Sequence, residues 1–531
     1  MQCIFCIIWI NSIQDSQLLV HDNTKVLERI PYNKFYNIKY IAKDKFCKKR
    51  PKDACNSEKL NNSKNITLEF NEVIANHKFY GITQDPETEN YMVVLDDACE
   101  KCNHVCNVIH FQRDFENWTS GNNDIDKFIQ DSQLSDHSNL CHALEWIPYN
   151  RFYDIKYIAK GGFGKVYKAN WIDGCIDYWD RDNQNWRRKN KKMFVALKSL
   201  YNSKNVTLEF MNEITSHCKV NLSNCIIKLY GISREPETKN YIMVMDYAEH
   251  GNLRNYLSTI HNKLTLNDKI NHLYRVAYGI NDIHEKELIH RDLHIGNLLK
   301  LEYNTVITDM GLCKPADYNA SGNTKNNVYG ILPYVAPETL RGQNYTKASD
   351  IYSLGIVMYE IISGLPPYHD KSHDEILAIK ICRGLRPRFD IKVPQLIVHF
   401  IKTCLDADPL NRPTAKTIKE TLNQWNYKPN EELRRQIKEA DEFNNNLPNN
   451  NVPVSPTNLG SYKTHSEAIY TSRLLHYNNL PEPKNSDDYY DEQNDNIISM
   501  KSSESIQIDN INSTESSVSL SLQIDISQLN I

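Results

Sequence analysis

The stretch Ile289-His290-Arg291-Asp292-Leu293-His294-Ile295-Gly296-Asn297, with Asp309-Met310-Gly311 beginning twelve residues after Asn297, decides how this chain is read. Two carboxylates and an amide oxygen clustered this way can form a hard-oxygen site for Mg²⁺, with a carboxylate to receive a hydroxyl proton. Upstream, residues 152–171 read FYDIKYIAKGGFGKVYKANW: an alternating apolar run, broken by glycines and resumed. That pattern predicts strand, tight turn, strand. Glycines let backbone N–H groups approach phosphate oxygens, although a glycine-bearing hairpin is also an ordinary turn. Between these stretches, Val195-Ala196-Leu197-Lys198 ends an apolar strand on a lysine, and Glu213 lies in LEFMNEITSHC, whose spacing suits a helix. A strand lysine facing inward needs an anion, and a helix carboxylate can hold it while it grips phosphates; an ordinary surface ion pair is the alternative. Downstream stand Ala336-Pro337-Glu338, Asp350 and Arg412.

Working outward, the 531 residues carry 62 Lys+Arg against 66 Asp+Glu, a net charge of −4, which argues against a polycationic nucleic-acid binder. The longest apolar stretch, Cys3 to Ile10, is less than half of the roughly 20 residues that span a bilayer, so no membrane span and no signal peptide are expected. The 14 cysteines are scattered, which suits reduced thiols in the cytoplasm better than a disulfide framework.

The chain also repeats itself. Leu27 to Lys43 matches Leu144 to Lys160 at 14 of 17 positions, Leu60 to Phe70 matches Leu200 to Phe210 at 9 of 11, and Lys78 to Ala98 matches Lys228 to Ala248 at 12 of 21. The offset grows along the alignment, so the first copy is a shortened echo of the second. Two copies do not make a solenoid. After Trp425, Asn, Ser and Asp dominate; a short helix is expected at Asn430 to Phe443, where acidic residues precede basic ones, and then a disordered extension. The expected organisation is an N-terminal segment (1–26), a degenerate partial repeat (27–98), a Cys-rich segment and linker (99–143), the intact domain (144–425), and a helix followed by an Asn/Ser-rich tail (426–531).

The ordered set of glycine loop, VALK, helix Glu, HRDxxxxN, DxG, APE and late Arg resembles the eukaryotic protein kinase family over about Phe152 to Trp425. The wider text, including IPYNRFYDIKYIAKGGFGKVYKANWIDG, is similar to the tyrosine-kinase-like group expanded in mycorrhizal fungi. The resemblance implies an α+β bilobal fold, with a small β-rich lobe and a large helical lobe from about residue 250. It implies ATP and Mg²⁺ as cofactors, a protein substrate, no nucleic-acid partner, no membrane partner, and a signalling role in the cytoplasm; the oligomeric state stays open. Carried over by residue, Gly161 and Gly164 form the loop over the phosphates, and Val166 and Ala196 line the adenine pocket. Lys198 meets the α- and β-phosphates, held by Glu213. Met245 is the gatekeeper, and Asp246 to Ala248 form the hinge. Asp292 orients the substrate hydroxyl and takes its proton, while Asn297 and Asp309 ligate Mg²⁺. His290, Arg291 and Asp350 are scaffold, and Glu338 with Arg412 is a buried ion pair.

Several positions depart from the family pattern. Ala159 replaces the first loop glycine, Met310 the DFG phenylalanine, and His217 an apolar spine residue, which is expected to soften the helix. His294 stands for the Ser/Thr-kinase lysine, and Ile331 for the usual threonine before APE. Ser/Thr transfer is favoured by resemblance, Tyr is not excluded, and a pseudokinase or adaptor is the alternative. Ser321, Thr324 and Tyr329 are candidate sites whose phosphates could pair with Arg291. In the first copy, Asp44, Lys45 and Cys47 replace the glycines, and no catalytic loop follows. Cys99, Cys102, Cys106 and His110 could supply a Cys₃His zinc set; reduced cysteines are the favoured alternative.

Overall fold

The computed structural model describes residues 79–84, 91–95 and, with interruptions that include 161–163, 317–327 and 446–462, residues 106–489. Its small lobe is built on a six-stranded sheet in the order Glu145–Trp146, Leu229–Arg234, Tyr241–Asp246, Met193–Leu200, Gly164–Trp171, Phe152–Lys160. The first pair is parallel and the rest are antiparallel. Alternation along Met193–Leu200 sorts its side chains. Val195 and Leu197 pack with Trp171, Tyr230 and Val244 on one face. Ala196 and Leu200 join Met243, Met245, Phe210 and Ile214 on the other. Lys198 lies directly opposite Met243 and so shares this second face, where helix Leu208–Val220 packs. That helix is capped by Thr207, whose hydroxyl accepts the Phe210 N–H.

The large lobe is helical. Helix Leu266–Glu285 starts with a capping box in which Thr265 and Asp268 satisfy each other's backbone N–H, and Thr346 with Ser349 repeats the device at helix Lys347–Ser363. The latter helix is buried around most of its circumference, as expected of a central element packed from several sides. The class is therefore α+β with two lobes.

Glu338 and Arg412 form a bidentate pair at 2.7 and 2.8 Å, with Arg412 also donating to the carbonyls of Asp406 and Ala348. Both side chains are buried, so the pair ties the helical turn Pro337–Leu340 to the loop before helix Ala415–Tyr427.

Three segments differ from, or add to, the expected organisation. Within 99–143, expected as a linker, helices Asn107–Asp114 and Asn123–Ser135 dock on the small lobe. Asn122 caps the second by accepting the N–H groups of Asp124 and Ile125, and Ile125 and Ile129, one turn apart, enter the core with Phe210 and Tyr241. The first presents His110 and Phe111 to Trp179 and Trp186 of the hairpin Cys175–Asp180/Asn185–Lys189. In the repeat, Phe79–Gln84 pairs with Tyr91–Leu95 in the register that Leu229–Arg234 uses with Tyr241–Asp246, including the irregularity between Phe79 and Gly81 that matches the one at Val244 and Met245. The remainder of the first copy lies outside the described residues. After the domain, helix Glu431–Asn445 is capped by Asn430 and buries Leu433 against the large lobe. The stretch beyond it was expected to need no fold, yet residues 463–487 are described and lie packed on the large lobe, held by the contacts detailed below. Local composition missed this because the segment borrows its partners from the domain rather than supplying its own core.

Removing one partner of the Glu338–Arg412 pair leaves an uncompensated buried charge, so Arg412→Ala should cost about 3–5 kcal/mol, readable as a lowered urea midpoint at unchanged slope.

Candidate active site

The Lys198 ammonium lies 2.5 Å from Glu213 Oε1 and 3.0 Å from Asp309 Oδ1. A sheet strand, a helix of the small lobe and a loop of the large lobe thus converge on one cation. Burial opposes that charge, but the carboxylates of Asp309 and Glu213 outweigh it and hold the Lys198 pKa above the ordinary lysine value. Burial would likewise raise Asp309, yet Lys198 and the Gly311 N–H keep it below the usual carboxylate range. Asp309 sits at φ +66°, a left-handed conformation that turns its carboxylate back toward Lys198 and the Gly311 N–H, 3.3 Å away.

The segment from His290 to Asn297 is suspended from Asp350. This buried carboxylate accepts the backbone N–H groups of His290 at 2.8 Å and Arg291 at 2.9 Å, and the His284 ring at 2.9 Å. Despite the burial that would raise it, those hydrogen bonds and neighbouring imidazoles hold Asp350 low, so it stays an anion that fixes the loop. Arg291 can then take φ +73°, and its guanidinium lies 4.5 Å from the centroid of the Tyr345 ring. Asn297 donates through Nδ2 to the Asp292 carbonyl at 2.9 Å, and its own carbonyl accepts the Thr308 N–H, joining the two halves of the acidic cluster. His294 accepts the Gly296 N–H through Nδ1, which leaves the hydrogen on Nε2, beside Asp292.

The remaining expected site residues fall on the sheet. Gly164 begins its strand opposite Leu200; a Cβ there would stand 2.2 Å from the Ser199 carbonyl oxygen, so the close approach admits only glycine. Val166 pairs with Lys198, and Ala196 pairs with Met245. Asp246 donates its N–H to Lys228 and accepts the Tyr230 hydroxyl, leading into Ala248, whose carbonyl accepts the Gly251 N–H. Gly161 lies outside the described residues, as do Ser321 and Thr324. Met310 and Ile331 are buried in the large-lobe core.

Of the proposed zinc set, Cys99 and Cys102 lie outside the described residues. Cys106 approaches His137, and His110 stacks on Trp179 at 4.0 Å, so these two are turned to other partners. No helix among the described residues is long and apolar enough to cross a membrane.

His217 sits inside the continuous helix Leu208–Val220. It is buried, and its Nε2 donates to the Ile227 carbonyl at 2.6 Å, tying helix Leu208–Val220 to the segment entering the sheet. A polar ring is tolerated because its one hydrogen finds an acceptor, a partner that lies ten residues away and leaves no mark in the local sequence.

A small sheet lobe and a large helical lobe are joined here by one cation, Lys198, paired with a carboxylate from each. A family model described as protein tyrosine and serine/threonine kinase matches residues 154–422. The chain belongs to the eukaryotic protein kinase family. It is 29% identical over 289 residues to a probable serine/threonine-protein kinase of Dictyostelium discoideum, covering 52% of this chain and 15% of that one. It is 27% identical over 275 residues to a tyrosine-protein kinase of Girardia tigrina, covering 50% and 51%. A calmodulin-binding receptor-like cytoplasmic kinase of Arabidopsis thaliana is 28% identical over 312 residues, covering 54% and 61%. The chain thus spans less than two thirds of the length of these relatives.

Burial lowers the His217 pKa from 6.5 to about 4, the Ile227 hydrogen bond only partly opposing it. The unfolded chain therefore takes up this proton first. The stability tied to neutral His217 is complete above pH 6.5 and declines as pH falls toward 4, by an amount on the order of 3 kcal/mol. Urea midpoints measured across that window should fall less steeply in His217→Leu than in the unsubstituted protein.

Proposed function

We propose that the chain is a protein kinase that transfers the γ-phosphoryl group of ATP to a protein hydroxyl, with Ser or Thr favoured as acceptor and a role in intracellular signalling. The observation that carries this is the single cation of Lys198 shared between Glu213 and Asp309, because it requires both lobes to be closed on the phosphate-gripping arrangement. Lys198 would hold the α- and β-phosphates, with Glu213 keeping its ammonium in place. Gly161 and Gly164 would cover the phosphates; Val166, Ala196 and Met245 would enclose the adenine, with the backbone of Asp246 to Ala248 as its hydrogen-bonding edge.

The residues present suit Mg²⁺. Asp309 engages Lys198 and Gly311 through Oδ1, and Asn297 engages Asp292 through its amide nitrogen, so one oxygen of each remains for a hard cation. When bound, that cation neutralises charge on the phosphate oxygens. Asp292 orients the attacking hydroxyl and accepts its proton. His294, with its Nε2 hydrogen beside Asp292, offers a donor where the serine/threonine pattern has a lysine.

The second reading, a binding protein that keeps the fold without the chemistry, draws on Ala159, His294 and Ile331 as departures from the family pattern. Transfer of phosphate from Mg²⁺-ATP to casein separates the two. The kinase reading expects Asp292→Asn to lower the rate by roughly 10²–10⁴-fold, the usual contribution of a positioned general base. Equal, background-level incorporation by both proteins would favour the binding role.

A further inference from the structure

Residues 463–487 cross the face of the large lobe in front of Asp292, and the residue brought to the carboxylate is a serine. The Ser472 hydroxyl lies 2.9 and 2.8 Å from the two carboxylate oxygens of Asp292, and 3.3 Å from His294 Nε2. Because His294 carries its hydrogen on Nε2, the hydroxyl accepts from the imidazole and donates to the carboxylate. That is the hydrogen-bond polarity a nucleophilic alcohol needs before attack.

The placement is built, not incidental. Arg473–Leu475 adds as an antiparallel strand to Val328–Gly330, with Gly330 opposite Arg473 and Val328 opposite Leu475. Tyr329 donates its hydroxyl to the Ser472 carbonyl at 3.1 Å. Two residues before the serine, the Tyr470 ring sits under the Arg254 guanidinium at 4.5 Å and its hydroxyl donates to the Pro367 carbonyl. Three residues after it, Leu475 is buried with Val328, Tyr368, Leu377 and Ile381. Arg473 donates to the His373 carbonyl at 2.6 Å. Farther on, Arg341 grips Glu482, the Lys484 N–H donates to the Cys382 carbonyl, and Tyr489 donates to the Lys402 carbonyl.

We infer that this segment is the chain's own substrate, and that Ser472 is an intramolecular phosphoryl acceptor whose modification releases the segment from the cleft. The inference rests on the kinase reading above. In the step, the Ser472 Oγ–Pγ bond forms as the bond from Pγ to the β,γ-bridging oxygen of the bound nucleoside triphosphate breaks. The hydroxyl proton passes to Asp292 and the nucleoside diphosphate leaves with the bonding electron pair. The product carries a phosphate beside the Asp292 carboxylate, where like charges repel. The strand pairing is thereby loosened and the groove opens to other proteins.

The full chain incubated with Mg²⁺-ATP and casein tests this, with phosphosites mapped by mass spectrometry. Ser472 should be modified with a first-order rate constant that does not change on dilution of the protein. Ser472→Ala should lose that phosphate and, with the segment no longer released from Asp292, phosphorylate casein at least several-fold more slowly than the unsubstituted chain. Leu475→Asp, which takes away the buried anchor, should slow Ser472 modification at least several-fold while casein transfer rises. In the unsubstituted chain, undiminished casein transfer with Ser472 unmodified, or modification of Ser472 whose rate grows with protein concentration, would overturn the inference and leave the kinase reading standing. Absence of Asp292-dependent transfer to either acceptor would overturn both.

Discussion

A buried ammonium cannot stay charged unless anions surround it, and Lys198 obtains its anions from opposite lobes. Glu213 arrives from a helix packed on the sheet, Asp309 from a loop anchored in the helical lobe. Each is positioned by its own core: Phe210 and Ile214 seat the helix, while Met310 sinks into the large lobe beside Asp309. The relative setting of the lobes is therefore coupled to one electrostatic requirement. The other parts of the cleft follow, since Asn297 and Asp292 hang from Asp350 in the same lobe that presents Asp309.

The convergence of these residues was legible from the sequence because they lie in short, ordered motifs whose chemistry is unusual: His290 to Asn297, Asp309 and Lys198 need not be seen in space to be singled out. The Glu338–Arg412 pair was legible only by family resemblance, its partners being far apart in the chain. What could not be read were contacts in which an ordinary-looking segment meets a distant surface. The His217 ring is one, since its acceptor belongs to another element. The Ser472 region is another. Its Asn- and Ser-rich surroundings carry little apolar material, and the few anchors, Tyr470 and Leu475, matter only because Arg254 and the Val328 strand already exist to receive them.

The helices at 107–114 and 123–135 sit between these cases. Asn122 ahead of Asp124-Ile125-Asp126, with Ile125 and Ile129 at helical spacing, is a start signal that the sequence does contain. It is overshadowed by the neighbouring cysteines. The hairpin of the shortened repeat makes the opposite point. Substitutions at about two positions in five between Lys78–Ala98 and its counterpart leave the strand register unchanged, because glycine and alternating apolar residues at matching places define the pairing more than side-chain identity does.

Glu145–Trp146 lies alongside Leu229–Arg234 and finishes that flank of the small-lobe sheet. It can do so because residue 231 is glycine: a Cβ there would come within 2.1 Å of the Glu145 carbonyl oxygen. An absent methyl group thus decides whether a row of backbone donors and acceptors is shielded or left for a foreign strand to join. The smallest of residues thus sets, far from the cleft, how that flank of the sheet ends.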